Sequence, residues 1–250
     1  KPDNAEAHYN LGITLKELGK LKEAEVSYKQ AIILKPDFVD AMYNLSIVLD
    51  YLNNLDESIF LLEDILEINK NNLGLKAAVH LAIFKFLQNN YSDSRKILLA
   101  SQKIQEITSL ELDHNLKLYQ KYLLKILNKF ENNSIIYIAP KQGNFLYVIG
   151  ESHALVSHGL KIKISDKEVL CKSMLIIGCK QSDLGSDNRN QYKYKFKSIF
   201  CSLPESSEVL LAIGEIDCRL DSGIIKYINK YPQKQMAELI TNTIENYLSY

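Results

Sequence analysis

The chain has 250 residues, 46% apolar and 24% charged, with 30 basic side chains balanced by 30 acidic ones. That composition belongs to folded globular chains with room for two modest cores, and zero net charge provides no electrostatic pull toward nucleic acid or an anionic membrane. The longest apolar runs, such as Val209–Ile213, fall far short of the roughly 20 residues of a spanning helix, and no basic-then-apolar leader precedes the first helix.

The first half carries an internal period of 34 residues. His8, Leu11, Gly12, Leu15, Ala24, Tyr28, Ala31 and Pro36 stand at offsets that recur in Met42, Leu45, Ser46, Leu49, Ser58, Leu62 and Ile65. The pattern predicts helix pairs. Small residues (Gly12, Ala24, Ser46, Ser58) sit where two helices approach closely, and Leu15, Leu18, Leu21 and Tyr28 fill the gap between them. Gly19 ends the first helix and Lys35-Pro36-Asp37 the second. Pro2-Asp3 lies one period before Pro36-Asp37, so a truncated unit is expected ahead of the first complete one. A weaker third unit aligns Asn89–Ser94 with Asn53–Ser58 after a two-residue insertion, with Val79, Leu81, Phe84 and Leu87 as its apolar face. These residues resemble the tetratricopeptide repeat family over about residues 1 to 105. The resemblance implies a concave surface that takes a protein or peptide.

From Leu110 to Phe130, Leu112, Leu116, Tyr119, Leu123, Ile126, Leu127 and Phe130 recur at three- and four-residue steps, which predicts one amphipathic helix acting as a bridge or cap. Glu131–Ser134 ends it, and Ala139–Asn144 reads as a loop, so the domain boundary is expected between 131 and 144.

Three apolar runs follow, Phe145–Ile149, Met174–Gly178 and Val209–Gly214, each leading into glycine and separated by polar, helix-compatible segments. They predict a parallel sheet covered on both faces, with a site at the carboxyl ends of its strands, where Ser152, Gly178 and Glu215–Asp217 would meet. Cys171, Cys179, Cys201 and Cys218 contain no C-x-x-C pair, so reduced thiols and a cytoplasmic setting are expected, with no metal or cofactor. Lys193, Lys195 and Lys197 alternate with Tyr192, Tyr194 and Phe196; a solvated face beside a buried one accounts for this strip without nucleic acid.

Ile149-Gly150-Glu151-Ser152-His153 resembles the Gly-Asp-Ser block of SGNH/GDSL hydrolases, Gly178 their second-block glycine, and Gly214–Arg219 a variant of their Gly-x-Asn-Asp block. The resemblance implies a Ser152 nucleophile that takes an acyl group from an acylated sugar or another small ester, with the Ser152 and Gly178 amides as oxyanion donors. Ile216 stands where the family has asparagine and cannot donate a hydrogen bond; Asn188 and Asn190 are the candidate substitutes. Glu215, Asp217 and Arg219 are supporting residues, as pairing or bracing groups, and Glu151 can brace its turn through backbone amides. The family's Asp-x-x-His block has no counterpart here, since no histidine follows His158; the base is expected beyond Tyr250, and this stretch of chain is expected to be inactive alone. A protein that has kept only the repeats' binding role is the alternative.

The expected architecture is therefore α + α/β. About three tetratricopeptide-type repeats form an α-solenoid over 1–107, a connecting helix spans 108–133, and a truncated three-layer α/β domain of flavodoxin-like or SGNH type occupies 134–250.

Overall fold

Helix α1 (Ala5–Glu17) starts where the Asn4 side chain accepts the amides of Glu6 and Ala7, and ends in a turn that recurs twice along the chain. The structure is a computed structural model that describes residues 4–68, 71–132, 144–152, 154–164, 166–179, 181–185 and 188–213. The chain divides into two compact units, Lys1–Ala139 and Pro140–Tyr250.

In the first unit, α1 pairs with α2 (Leu21–Leu34), α3 (Val39–Tyr51) with α4 (Leu55–Ile68), and α5 (Asn72–Leu87) with α6 (Tyr91–Ile107). Each pair is joined by the same turn. Gly19, Asn53 and Asn89 have φ of 61 to 69°, and the amides of Lys20, Asn54 and Asn90 reach back to the carbonyls of Leu15, Leu49 and Lys85 at 2.8–2.9 Å. This six-to-one bond caps the carbonyls that a helix end leaves open, and Gly and Asn tolerate the left-handed backbone it requires.

Close approach within each pair has an equally regular cause. A β-carbon on Gly12 would lie 2.6 Å from the fully buried ring of Tyr28, so the absence of a side chain lets α2 seat its largest residue against α1. In the next two pairs a serine replaces this contact with a hydrogen bond. Ser58 Oγ donates to the Ser46 carbonyl at 2.7 Å, and Ser94 Oγ to the Ala82 carbonyl at 2.8 Å, both buried. The α5–α6 pair thus repeats the geometry of its predecessors despite the insertion before it.

Helix α5 is apolar nearly all round, with Leu75, Ala77, Val79, Leu81, Ile83, Phe84 and Phe86 all buried, because it packs against α3, α4, α6 and α7 (His114–Asn132). Helix α7 is a cap. It lays Leu116, Leu123 and Leu127 on α5 and α6, sets Phe130 against Phe86 and Tyr91, and sends Gln120 Nε2 to Ser101 Oγ at 2.7 Å in the interior.

Among the described residues the second unit holds a four-stranded sheet in the order β2-β3-β1-β4. Strand β1 (Phe145–Gly150) is central and parallel to both β3 (Lys167–Leu175) and β4 (Glu208–Ala212). The expectation of an all-parallel sheet is corrected here, since β2 (Lys161–Ile164) runs antiparallel to β3. Its Lys-Ile-Lys-Ile alternation suits an exposed edge, and Asp166, at φ 69°, stands just before β3. The second expected strand is also displaced: Met174 and Leu175 end β3, and Ile176–Gly178 form the turn after it.

Ser173 faces α8 (Ala154–Ser157), whose Ala154 carbonyl accepts its hydroxyl, and the next residue, Met174, packs on the opposite side. That side carries Ile149, Ile176 and Cys179 with Leu184 of α9 (Gln181–Gly185) and Ile199 of α10 (Gln191–Ser202). Among the described residues no helix is long and apolar enough to cross a membrane.

Substituting Gly12→Leu should force Tyr28 from its place and destabilise the first unit by about 2 kcal/mol or more, an overpacking cost larger than the ~1 kcal/mol that a helical glycine gives up. Urea unfolding followed by circular dichroism measures it, and Ser58→Ala, which removes one buried hydrogen bond, should cost about 1 kcal/mol.

Candidate functional site

Among the described residues, two places concentrate polar side chains. The first lies in the repeat unit, where α1 touches α3 and α3 touches α5 directly. Across these helices Lys16 Nζ donates to Asn44 Oδ1 at 3.0 Å, Asn44 Nδ2 reaches the Tyr9 hydroxyl at 3.4 Å, and the Tyr43 hydroxyl meets His80 Nδ1 at 3.1 Å. Burial lowers the pKa of both Lys16 and His80 and raises that of Tyr43. For His80, the Lys76 carbonyl and the charges of Asp50 and Asp113 oppose the shift, and the Lys76 charge adds to it.

The second place is the carboxyl end of the sheet. Gly150 closes β1 opposite Ala212 of β4, and a β-carbon on it would lie 2.5 Å from the Ala212 carbonyl oxygen, so only glycine lets the central strand end there. The chain then turns. Ala154 and Leu155 donate to the carbonyls of Glu151 and Ser152, which opens α8 and leaves Ser152 half-buried on the bend. Across from it, the turn after β3 carries Gly178 at φ 75°, a conformation that favours glycine.

The Glu151 carboxylate ties the two turns together. Its Oε2 accepts the Ser152 amide and its Oε1 accepts the Gly178 amide at 3.2 Å. The two amides named from the sequence as oxyanion donors therefore converge on one anionic group, which the chain itself supplies.

Other sequence-derived candidates fall elsewhere. Asn190 caps α10, its Oδ1 accepting the Lys193 amide at 2.9 Å while Nδ2 donates to the Asp183 carbonyl at 2.8 Å; its amide group is engaged in that loop. Asn188 is exposed in the approach to α10. His153, Glu215, Ile216, Asp217 and Arg219 lie outside the described residues. His158 is buried and its Nδ1 accepts the Ser173 amide at 3.1 Å, which fixes α8 to β3.

Tyr192 is the residue that sequence reasoning passed over. As a member of an alternating Lys/Tyr strip it carried no signal, but α10 is a helix, and its first turn sets the Tyr192 hydroxyl 3.7 Å from where a β-carbon of Gly178 would be. Burial raises the phenol's pKa, with the charges of Asp183 and Glu151 adding to it and a hydrogen bond from Gln191 opposing, so at neutral pH the group is an O–H donor.

Residues 5–38 and 39–72 each match a family described as tetratricopeptide repeat, so the first 72 residues hold two such repeats. No curated protein matches the chain.

His80 makes the repeat unit acid-sensitive. Its folded pKa lies below the unfolded value of about 6.5, so its contribution is complete above that pH and is lost as pH falls through it toward the folded pKa. Stability to urea should therefore drop between about pH 7 and about pH 5, and His80→Gln should flatten that part of the curve.

Proposed function

We propose that the repeat unit is the partner-binding half of the chain and takes a protein or peptide segment along the concave layer of α1, α3 and α5. The carrying observation is that these helices, two of them within matched repeats, contact one another directly and are held in register by Lys16–Asn44–Tyr9 and Tyr43–His80. A surface fixed in this way meets a ligand without being ordered first, which spares the entropy of arranging it. In this reading α5–α6 is a third repeat, residues 1–107 form the array, and α7 closes it within the segment 108–133. A photo-crosslinking amino acid at Ile13 or Ile47, on α1 and α3, should capture the partner. The same group at the exposed Val26 or Phe60, on α2 and α4, should not; equal capture at all four positions overturns the assignment.

A second reading concerns the α/β unit, residues 134–250, as an SGNH-like acyl-transfer domain. The convergence of the Ser152 and Gly178 amides favours it. Ser152 Oγ, giving its proton to a base, adds to an ester carbonyl carbon, and the carbonyl π pair moves to the oxygen, which the two amides hold once the Glu151 carboxylate has turned away from them. Collapse of that adduct breaks the ester C–O bond, the leaving alkoxide takes up a proton, and the acyl group passes from Ser152 to water or to a sugar hydroxyl. Glu215, Asp217 and Arg219 support the site in this reading, and no cofactor or nucleic acid takes part. A fluorophosphonate probe should label the protein at Ser152 and lose that labelling in Ser152→Ala. Equal labelling, or none from folded protein, leaves partner binding as the function.

A further inference from the structure

The amide pair does more than mark the end of two strands. Ser152 and Gly178 are 26 positions apart, come from different turns, and present their N–H groups to the two oxygens of one carboxylate. Two amides spaced to take Oε1 and Oε2 together recognise a carboxylate by shape as well as charge. The surroundings fit that use. Gly178 leaves its side of the cleft open, so that the group nearest its absent side chain is the Tyr192 hydroxyl. Tyr192 packs against the apolar cluster of Ile149, Ile176, Cys179 and Ile199, which holds it in place and excludes water beneath it. The neighbouring Gln191 Oε1 is buried without a hydrogen-bond partner.

We propose that the cleft between the β1 and β3 turns is a binding site for a small carboxylate, formed by the Ser152 and Gly178 amides with the Tyr192 hydroxyl beside them, and that the Glu151 side chain is its resident occupant. An external carboxylate enters by displacing Glu151, so the occupant sets the affinity. The site uses the same amides as the acyl-transfer reading but not the Ser152 hydroxyl, and it stands or falls apart from that chemistry.

The test is replacement of the occupant. Glu151→Ala vacates the amide pair, and acetate should then raise the protein's thermal midpoint in a saturable way, with sodium chloride at matched ionic strength as the reference. Wild type, with Glu151 in place, should respond at least tenfold more weakly. Adding Tyr192→Phe to Glu151→Ala should raise the acetate Kd about fivefold or more. An equal response in wild type and Glu151→Ala overturns the site, and an unchanged Kd in the double variant removes Tyr192 from it. Should Glu151→Ala not fold, Glu151→Gln keeps the size of the side chain and one acceptor. Acetate titration should then move the amide resonances of Ser152 and Gly178, and their failure to move overturns the proposal. Acetate binding without fluorophosphonate labelling gives a carboxylate site devoid of acyl chemistry; labelling without acetate binding keeps the nucleophile and rejects this site.

Discussion

Elements packed so closely that little or no side chain fits between them are the constraint on which both units rest. In the repeats, the contact falls at Gly12 against Tyr28, and then at the serine-to-carbonyl bonds of Ser58 with Ser46 and Ser94 with Ala82. In the sheet it falls at Gly150, where the Ala212 carbonyl occupies the space a side chain would take. A larger residue at either place would push the packed elements apart. In the sheet it would also move the turn that carries Glu151 and Ser152. The position of the candidate site thus follows from a packing requirement one residue before it.

Much of the first unit was legible because repeat geometry is local and recurs. A small residue at Gly12 and Ser46, another at Ala24 and Ser58, and a turn residue at Gly19 and Asn53 each describe contacts within one helix pair, and the period exposes them. The all-round burial of α5 was less visible. It arises because four other helices surround it, and the face chosen from periodicity held only Val79, Leu81, Phe84 and Leu87.

The second unit shows where sequence patterns stop being informative. Strands read as continuous apolar runs were found at β1 and β4, whereas β2 was missed because Lys-Ile-Lys-Ile is decided by pairing with β3 and carries little apolar signal of its own. Glu151 was readable as a brace, but not the identity of both amides it holds, since Gly178 reaches it only through the parallel pairing of β1 with β3. Tyr192 was unreadable for a related reason: its neighbours are chosen by how α10 packs on the sheet, and spacing along the chain does not encode that.

The turns at Gly19 and Asn53 share one backbone geometry and lie 34 residues apart, whereas the third lies 36 residues on, and the helix pair it joins is bound to α7 through Ser101–Gln120 and the Phe86–Tyr91–Phe130 cluster. The first two pairs are therefore interchangeable parts and the third is a fixed terminus. A gene encoding such a chain can gain or lose a 34-residue cassette upstream of α5 and alter the length of the helical array, while the α5–α7 end keeps its own fit.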